Sequence, residues 1–197
     1  MTYDRHELAD LTGRFFGYAS LFDIPDQGGD IVKRGAFDKS LRRKPIEQIA
    51  MLAHHNAEQP IGRWEVIKED AKGLYVVGIV NKQVQAGCEL LALLAQGGFS
   101  GLSIGFKNAA SVKPASRGTA SYTGRKPPVR ILTQLDLWEI SLVTFPMLNE
   151  ARVVEVEKFS DQKRSFKGPD NAAKNLYPQQ LIDADYIRQA SQTLRVF

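Results

Sequence analysis

A serine set between glycines, a pair of histidines and a carboxylate in an apolar run are the residues of this chain best suited to acyl-transfer chemistry. The serine lies in Gly101-Leu102-Ser103-Ile104-Gly105. In an extended strand, alternation puts Leu102, Ile104 and Phe106 on one face and Gly101, Ser103 and Gly105 on the other, so the hydroxyl stands on a bare floor. Two glycines weaken a strand and leave holes unless another backbone must approach closely. A peptide laid beside Ser103 would be such a backbone; tight packing under a helix, with Ser103 incidental, would use the same glycines. A serine hydroxyl is a poor nucleophile at neutral pH without a base in hydrogen-bond reach, and histidine has the pKa for that task. The chain holds only His6, His54 and His55. His6 sits in a charged N-terminal segment and reads as a solvated residue. His54 and His55 are adjacent, so on an extended segment they point to opposite faces and at most one meets Ser103. The plainer alternative is a histidine pair at a surface strand end.

A histidine base is usually oriented by a third group, most often a carboxylate. Glu139 is the candidate, because Leu137-Trp138-Glu139-Ile140-Ser141-Leu142-Val143 is otherwise too apolar to carry an unpartnered charge. Asp136 is its nearest competitor, and a solvent-facing strand position is the bland alternative. The serine run also matches the Gly-Xaa-Ser-Xaa-Gly elbow of α/β-hydrolases, whose acid and histidine follow the serine. Here every histidine precedes Ser103, which excludes that reading. The lone cysteine, Cys88, cannot form an internal disulfide and lies on a helical stripe, so it reads as core before nucleophile. With so few histidines and one cysteine, a metal site lacks ligands, and no cofactor is expected.

The elements that must position these residues fit one main domain in 197 residues. Composition is that of a globular protein, 43% hydrophobic and 24% charged. No apolar run approaches the roughly 18 to 20 residues that span a bilayer, and the N-terminus mixes charges where a signal peptide would be apolar, so an intracellular protein without a membrane anchor is expected. Residues 14–21 predict a strand that ends at a Pro- and Gly-rich turn. Residues 36–43 predict a short helix stopping before Pro45. Strands follow at 49–55, 64–67 and 74–80. Between 84 and 95 the period changes, and Val84, Cys88, Leu91, Ala92 and Ala95 form one stripe closed by Gly97 and Gly98, which predicts a helix. Residues 99–107 and 130–143 read as paired strands bracketing a basic loop. That stretch, 107–130, holds Lys107, Lys113, Arg117, Arg125, Lys126 and Arg130 without an acidic residue. The net charge of +4 permits an acidic partner. Nucleic acid is not expected, since no reading element accompanies the charge. Beyond 157 a polar linker leads to apolar residues at helical spacing from Leu181 to Leu194, an amphipathic appendage.

Five runs in order are similar to the head maturation (prohead) proteases of tailed bacteriophages. They are Gly17-Tyr-Ala-Ser-Leu-Phe22; Gly35-Ala-Phe37; His55-Asn-Ala-Glu-Gln-Pro60-Ile-Gly62; Gly101-Leu-Ser103-Ile-Gly105-Phe106; and Leu137-Trp-Glu139-Ile-Ser141-Leu-Val-Thr-Phe-Pro146 with Asn149 and Ala151. The resemblance covers residues 15–156. It implies a serine endopeptidase related in fold to the herpesvirus assembly protease: α+β, mostly β, with a β-barrel-like core and peripheral helices in residues 1–157. A removable linker and helix would occupy residues 158–197. It implies His55 as base, five residues before the proline of Pro-Ile-Gly, Ser103 as nucleophile and Glu139 as the third member. The oxyanion hole stays open between backbone N–H groups near Ser103, Asn149 and Arg152. The implied substrates are phage scaffold or the scaffold segment of the major capsid protein, inside an immature head in the host cytoplasm, and the protease's own tail. A homo-oligomer is a further possibility under the resemblance. A non-catalytic capsid-assembly module on the same fold is the rival.

Overall fold

The computed structural model describes residues 11–112 and 130–158. The chain divides into two units, Met1–Phe159 and Ser160–Phe197, and every described residue belongs to the first. The linker and terminal helix expected beyond 158, His6, and the middle of the basic loop, 113–129, lie outside the described residues.

Strands dominate: β1 (Leu11–Leu21), β2 (Asp30–Val32), β3 (Ala50–Ala53), β4 (Asn56–Glu69), β5 (Gly73–Val80), β6 (Gly101–Val112), β7 (Arg130–Val143) and β8 (Val153–Lys158). Among the described residues two α-helices interrupt them, α1 (Asp38–Arg43) and α2 (Gln85–Ala95), with a 3-10 turn at Ile46–Gln48. None of the described helices is long and apolar enough to cross a membrane. The strands form one sheet in the order β2-β7-β3-β4-β5-β1-β8, with β6 on the other edge of β7. The expected barrel-like closure is therefore corrected to an open sheet. Its end strands β2 and β8 do not pair, and the approach of the β8 end to β6 is limited to an isolated bridge between Gly101 and Arg152 and neighbouring backbone bonds. Strand β7 causes the branch. Its 14 residues share one edge between β2 and β3, both parallel to it, and give the other to antiparallel β6.

The core lies under this sheet and braces β3. Phe15 of β1 meets Trp64 of β4 edge-to-face at 5.8 Å between ring centroids, an arrangement aromatic pairs favour. Trp64 lies across Gly78 of β5, where an added Cβ would stand 2.5 Å from Met51 Cε and 2.8 Å from the indole ring. Met51, Phe15 and Ile61 are fully buried, each side chain contributing about 1.5–3 kcal/mol by leaving water. Helix α2 matches its expected span, but its buried face is Gly87, Leu90, Leu91, Ala92 and Leu94. Val84 and Ala95 are exposed and Cys88 is half-buried, because Gly87 seats the helix closely against the Asn81 carbonyl. The basic stretch is also narrower than expected: Lys107 lies within β6 with Nζ 3.6 Å from the Trp138 ring centroid, and Arg130 opens β7 paired with Asp30.

Candidate active site

Histidine 55 does not sit on a strand. His54 and His55 form the two-residue connection between β3 and β4, with φ of +50° and +60°, so the expectation that they lie on an extended segment and point to opposite faces is corrected. Two left-handed central residues are the mark of a type I′ hairpin turn, which Asn-Gly usually fills. Each non-glycine residue held there costs roughly 1–2 kcal/mol. What holds the turn is visible: His54 N–H donates to the Leu142 carbonyl at 3.0 Å, and His55 N–H donates to Ser141 Oγ at 3.1 Å. The turn thus hangs on β7, and the His54 ring lies against Phe99 at 6.4 Å.

The imidazole of His55 meets Glu139, with Nδ1 and Oε1 2.7 Å apart. A carboxylate only accepts, so in the neutral ring Nδ1 carries the proton and Nε2 is left with its lone pair. The bond to Glu139 raises the His55 pKa above its ordinary value against the opposing effect of burial, with the carboxylate's charge adding to the rise. The second oxygen of Glu139 accepts from Ser141 Oγ at 2.6 Å. Gly105 makes room for this carboxylate. A Cβ built there would lie 2.0 Å from Glu139 Oε1. The bare floor beside Ser103 is therefore filled in part by Glu139, and at Gly101 by the Val143 carbonyl and the Pro146 ring, where an incoming backbone had been expected.

Ser103 is buried and stands directly opposite Ser141 in the β6–β7 pair, as Gly105 stands opposite Glu139. Residues so paired share a face with Cβ atoms about 4.5–5.5 Å apart. The three candidate residues are thus gathered round one stretch of β7, although Ser103 Oγ makes no hydrogen bond to His55 among the described residues. Such bonds are often long before substrate binds. Ser103 also lines a cavity of about 70 Å³ with Ile24, Asp26, Val32, Ile104 and Leu132. Burial pushes the Asp26 carboxyl up, against backbone N–H bonds that stabilise its charge. Asp136, the competitor of Glu139, is engaged elsewhere, with Lys44 and Arg43 each 3.3 Å away. Asn149 Oδ1 accepts from Gln27, while Arg152 reaches the Asn149 carbonyl and pairs its backbone with Gly101, two residues before Ser103. No group of three or more His, Cys, Asp or Glu among the described residues is placed to hold a metal ion.

Sequence reasoning missed Ser141 and the role of Gly105. The signal was there: Glu139 and Ser141 are two apart on a strand, hence on one face.

Strand β7 thus joins the His55 imidazole to the Glu139 carboxylate and sets Ser103 on the neighbouring strand, opposite Ser141. Residues 2–165 match the family model of the caudovirus prohead serine proteases, and the chain belongs to that family. It is 35% identical over 147 residues to the prohead protease of Enterobacteria phage HK97, a stretch that is 74% of this chain and 60% of that protein. The bacteriophage T4 capsid assembly protease shares the fold with a TM-score of 0.50 at 14% identity, covering 68% of this chain and 82% of that one. A weaker similarity, TM-score 0.44 at 15% identity over 72% of this chain and 63% of the other, is to a herpesvirus (KSHV) protease crystallised with a hexapeptide phosphonate inhibitor.

Proposed function

We propose that this protein is a serine endopeptidase that cuts scaffold, or the scaffold segment of the major capsid protein, during maturation of a phage head. The observation that carries the reading is the 2.7 Å bond between Glu139 and His55 Nδ1, on a strand whose register sets Ser103 opposite Ser141. That bond fixes the tautomer a general base requires. Ser103 Oγ attacks the peptide carbonyl while His55 Nε2 takes its proton and then gives it to the leaving amine. A water activated by the same nitrogen releases the acyl-enzyme. The mostly apolar cavity beside Ser103 is suited to a substrate side chain next to the scissile bond. Membership of the prohead protease family supports the choice of substrate and the immature head as the place of action.

The same reading makes residues 158–175 a site of self-cleavage, because a polar linker can enter a cleft as extended chain. The rival, a non-catalytic assembly module on this fold, draws on the absence of a direct Ser103–His55 bond. Co-expression of wild type, Ser103→Ala and His55→Ala with the cognate capsid and scaffold proteins separates the two. Wild type is expected to generate new termini in substrate and in its own linker, detected by intact mass, with each variant slower by on the order of 10⁶-fold. Cutting by Ser103→Ala at the wild-type rate ends the proposal.

A further inference from the structure

We propose that Ser141 is the positioning residue of this site, its hydroxyl holding both the backbone of the base and the carboxylate that orients it; this rests on the peptidase reading above. The Ser141 side chain is fully buried. Its one proton goes to Glu139 Oε2 at 2.6 Å, and its oxygen accepts the His55 N–H at 3.1 Å. A serine hydroxyl has one donor and two acceptor sites, so both bonds are made at once. Each solves a separate problem. The terminal torsion of a glutamate is broad, so one bond to His55 leaves its carboxylate plane free to turn; the second bond fixes it. Gly105 opens the space the carboxylate occupies but offers no group to hold it there. On the main-chain side, His55 is left-handed and lies between β3 and β4 outside the ladder, so its N–H depends on this side chain for an acceptor. Remove the hydroxyl, and the imidazole and its partner lose their common anchor without any change at Ser103.

Ser141→Ala and Ser141→Thr test this with two readouts. The first is kcat and KM across pH on a peptide substrate. The second is the NMR titration of the His55 ring in a Ser103→Ala background, which needs no activity. Ser141→Ala is expected to lower kcat about 10- to 100-fold, the scale typical of losing one supporting group, with KM within threefold. Its His55 midpoint is expected to fall toward the ordinary histidine range, and Ser141→Thr, which keeps the hydroxyl, to recover most of both. If Ser141→Ala fails to fold, Ser141→Cys, which fills the space with a weak donor, is read in its place. A wild-type kcat, or a His55 midpoint that stays or rises, overturns the proposal. If wild type and Ser103→Ala cleave equally, the peptidase reading fails, and the titration still decides the role of Ser141.

Discussion

At the scale of single residues, the least conspicuous member of the site is the one with the largest steric consequence. Gly105 contributes no chemistry, yet a methyl group there would lie 2.0 Å from Glu139 Oε1. The atoms met there all belong to the Glu139 side chain, so the carboxylate must leave. Gly105→Ala is expected to reduce cleavage at least tenfold while the protein stays folded, with the His55 titration moving down as in a protein lacking Glu139. Normal turnover by Gly105→Ala would show that the carboxylate is not needed where it stands. The candidate residues stand out in the chain because each occupies a distinctive setting: a serine between glycines, a charge in an apolar run, and a histidine singled out only by the family resemblance, which places it before Pro-Ile-Gly. The supporting hydroxyl does not, because a serine in a β-strand is too ordinary to attract notice without its partners.

Among the elements, the β3–β4 turn departs most from local preference. Nothing in Ala53-His54-His55-Asn56 announces a hairpin, since turns with two left-handed residues favour glycine and asparagine. Tertiary bonds to Leu142 and Ser141 override that preference. Substituting the first turn residue tests how much strain they hold. His54→Asn is expected to fold and cut nearly as wild type, since asparagine tolerates φ of +50°. His54→Val is expected to lose about 1–2 kcal/mol in urea denaturation and to lower activity through the displaced His55. Equal midpoints for the two variants would remove strain from the account. Strand β4 was under-read for a related reason. Its first five residues, Asn56 to Pro60, are all exposed and include a proline, so neither alternation nor β-propensity marks them. Strands β6 and β7, by contrast, pair as expected.

For the molecule as a whole, the mostly β class was readable from short strand patterns, whereas the open edge was not. Parallel pairing of β2 and β3 with β7 joins segments about 90 to 100 positions apart, and no local signal encodes such a register. Stability should carry one trace of the site. The folded pKa of His55 is raised, so its bond to Glu139 stabilises the fold below the ordinary histidine value, and that stabilisation is lost as pH rises through the raised one. Wild type is expected to exceed Glu139→Gln in denaturation midpoint below the ordinary histidine value and to lose that margin as pH rises through the raised one. A difference that is constant across pH would mean that the pair is not linked to folding. Because the His55 side chain is half exposed, the effect is small and needs matched ionic strength.

One arrangement reaches beyond catalysis. Glu139, Ile140 and Ser141 are interior to β7, hemmed by β3 on one edge and β6 on the other. Their amides should be among the last to take up deuterium, opening only when the entire sheet comes apart. With the Glu139 carboxylate and its supporting hydroxyl on such a strand, warming is expected to abolish cleavage and ordered structure at the same temperature.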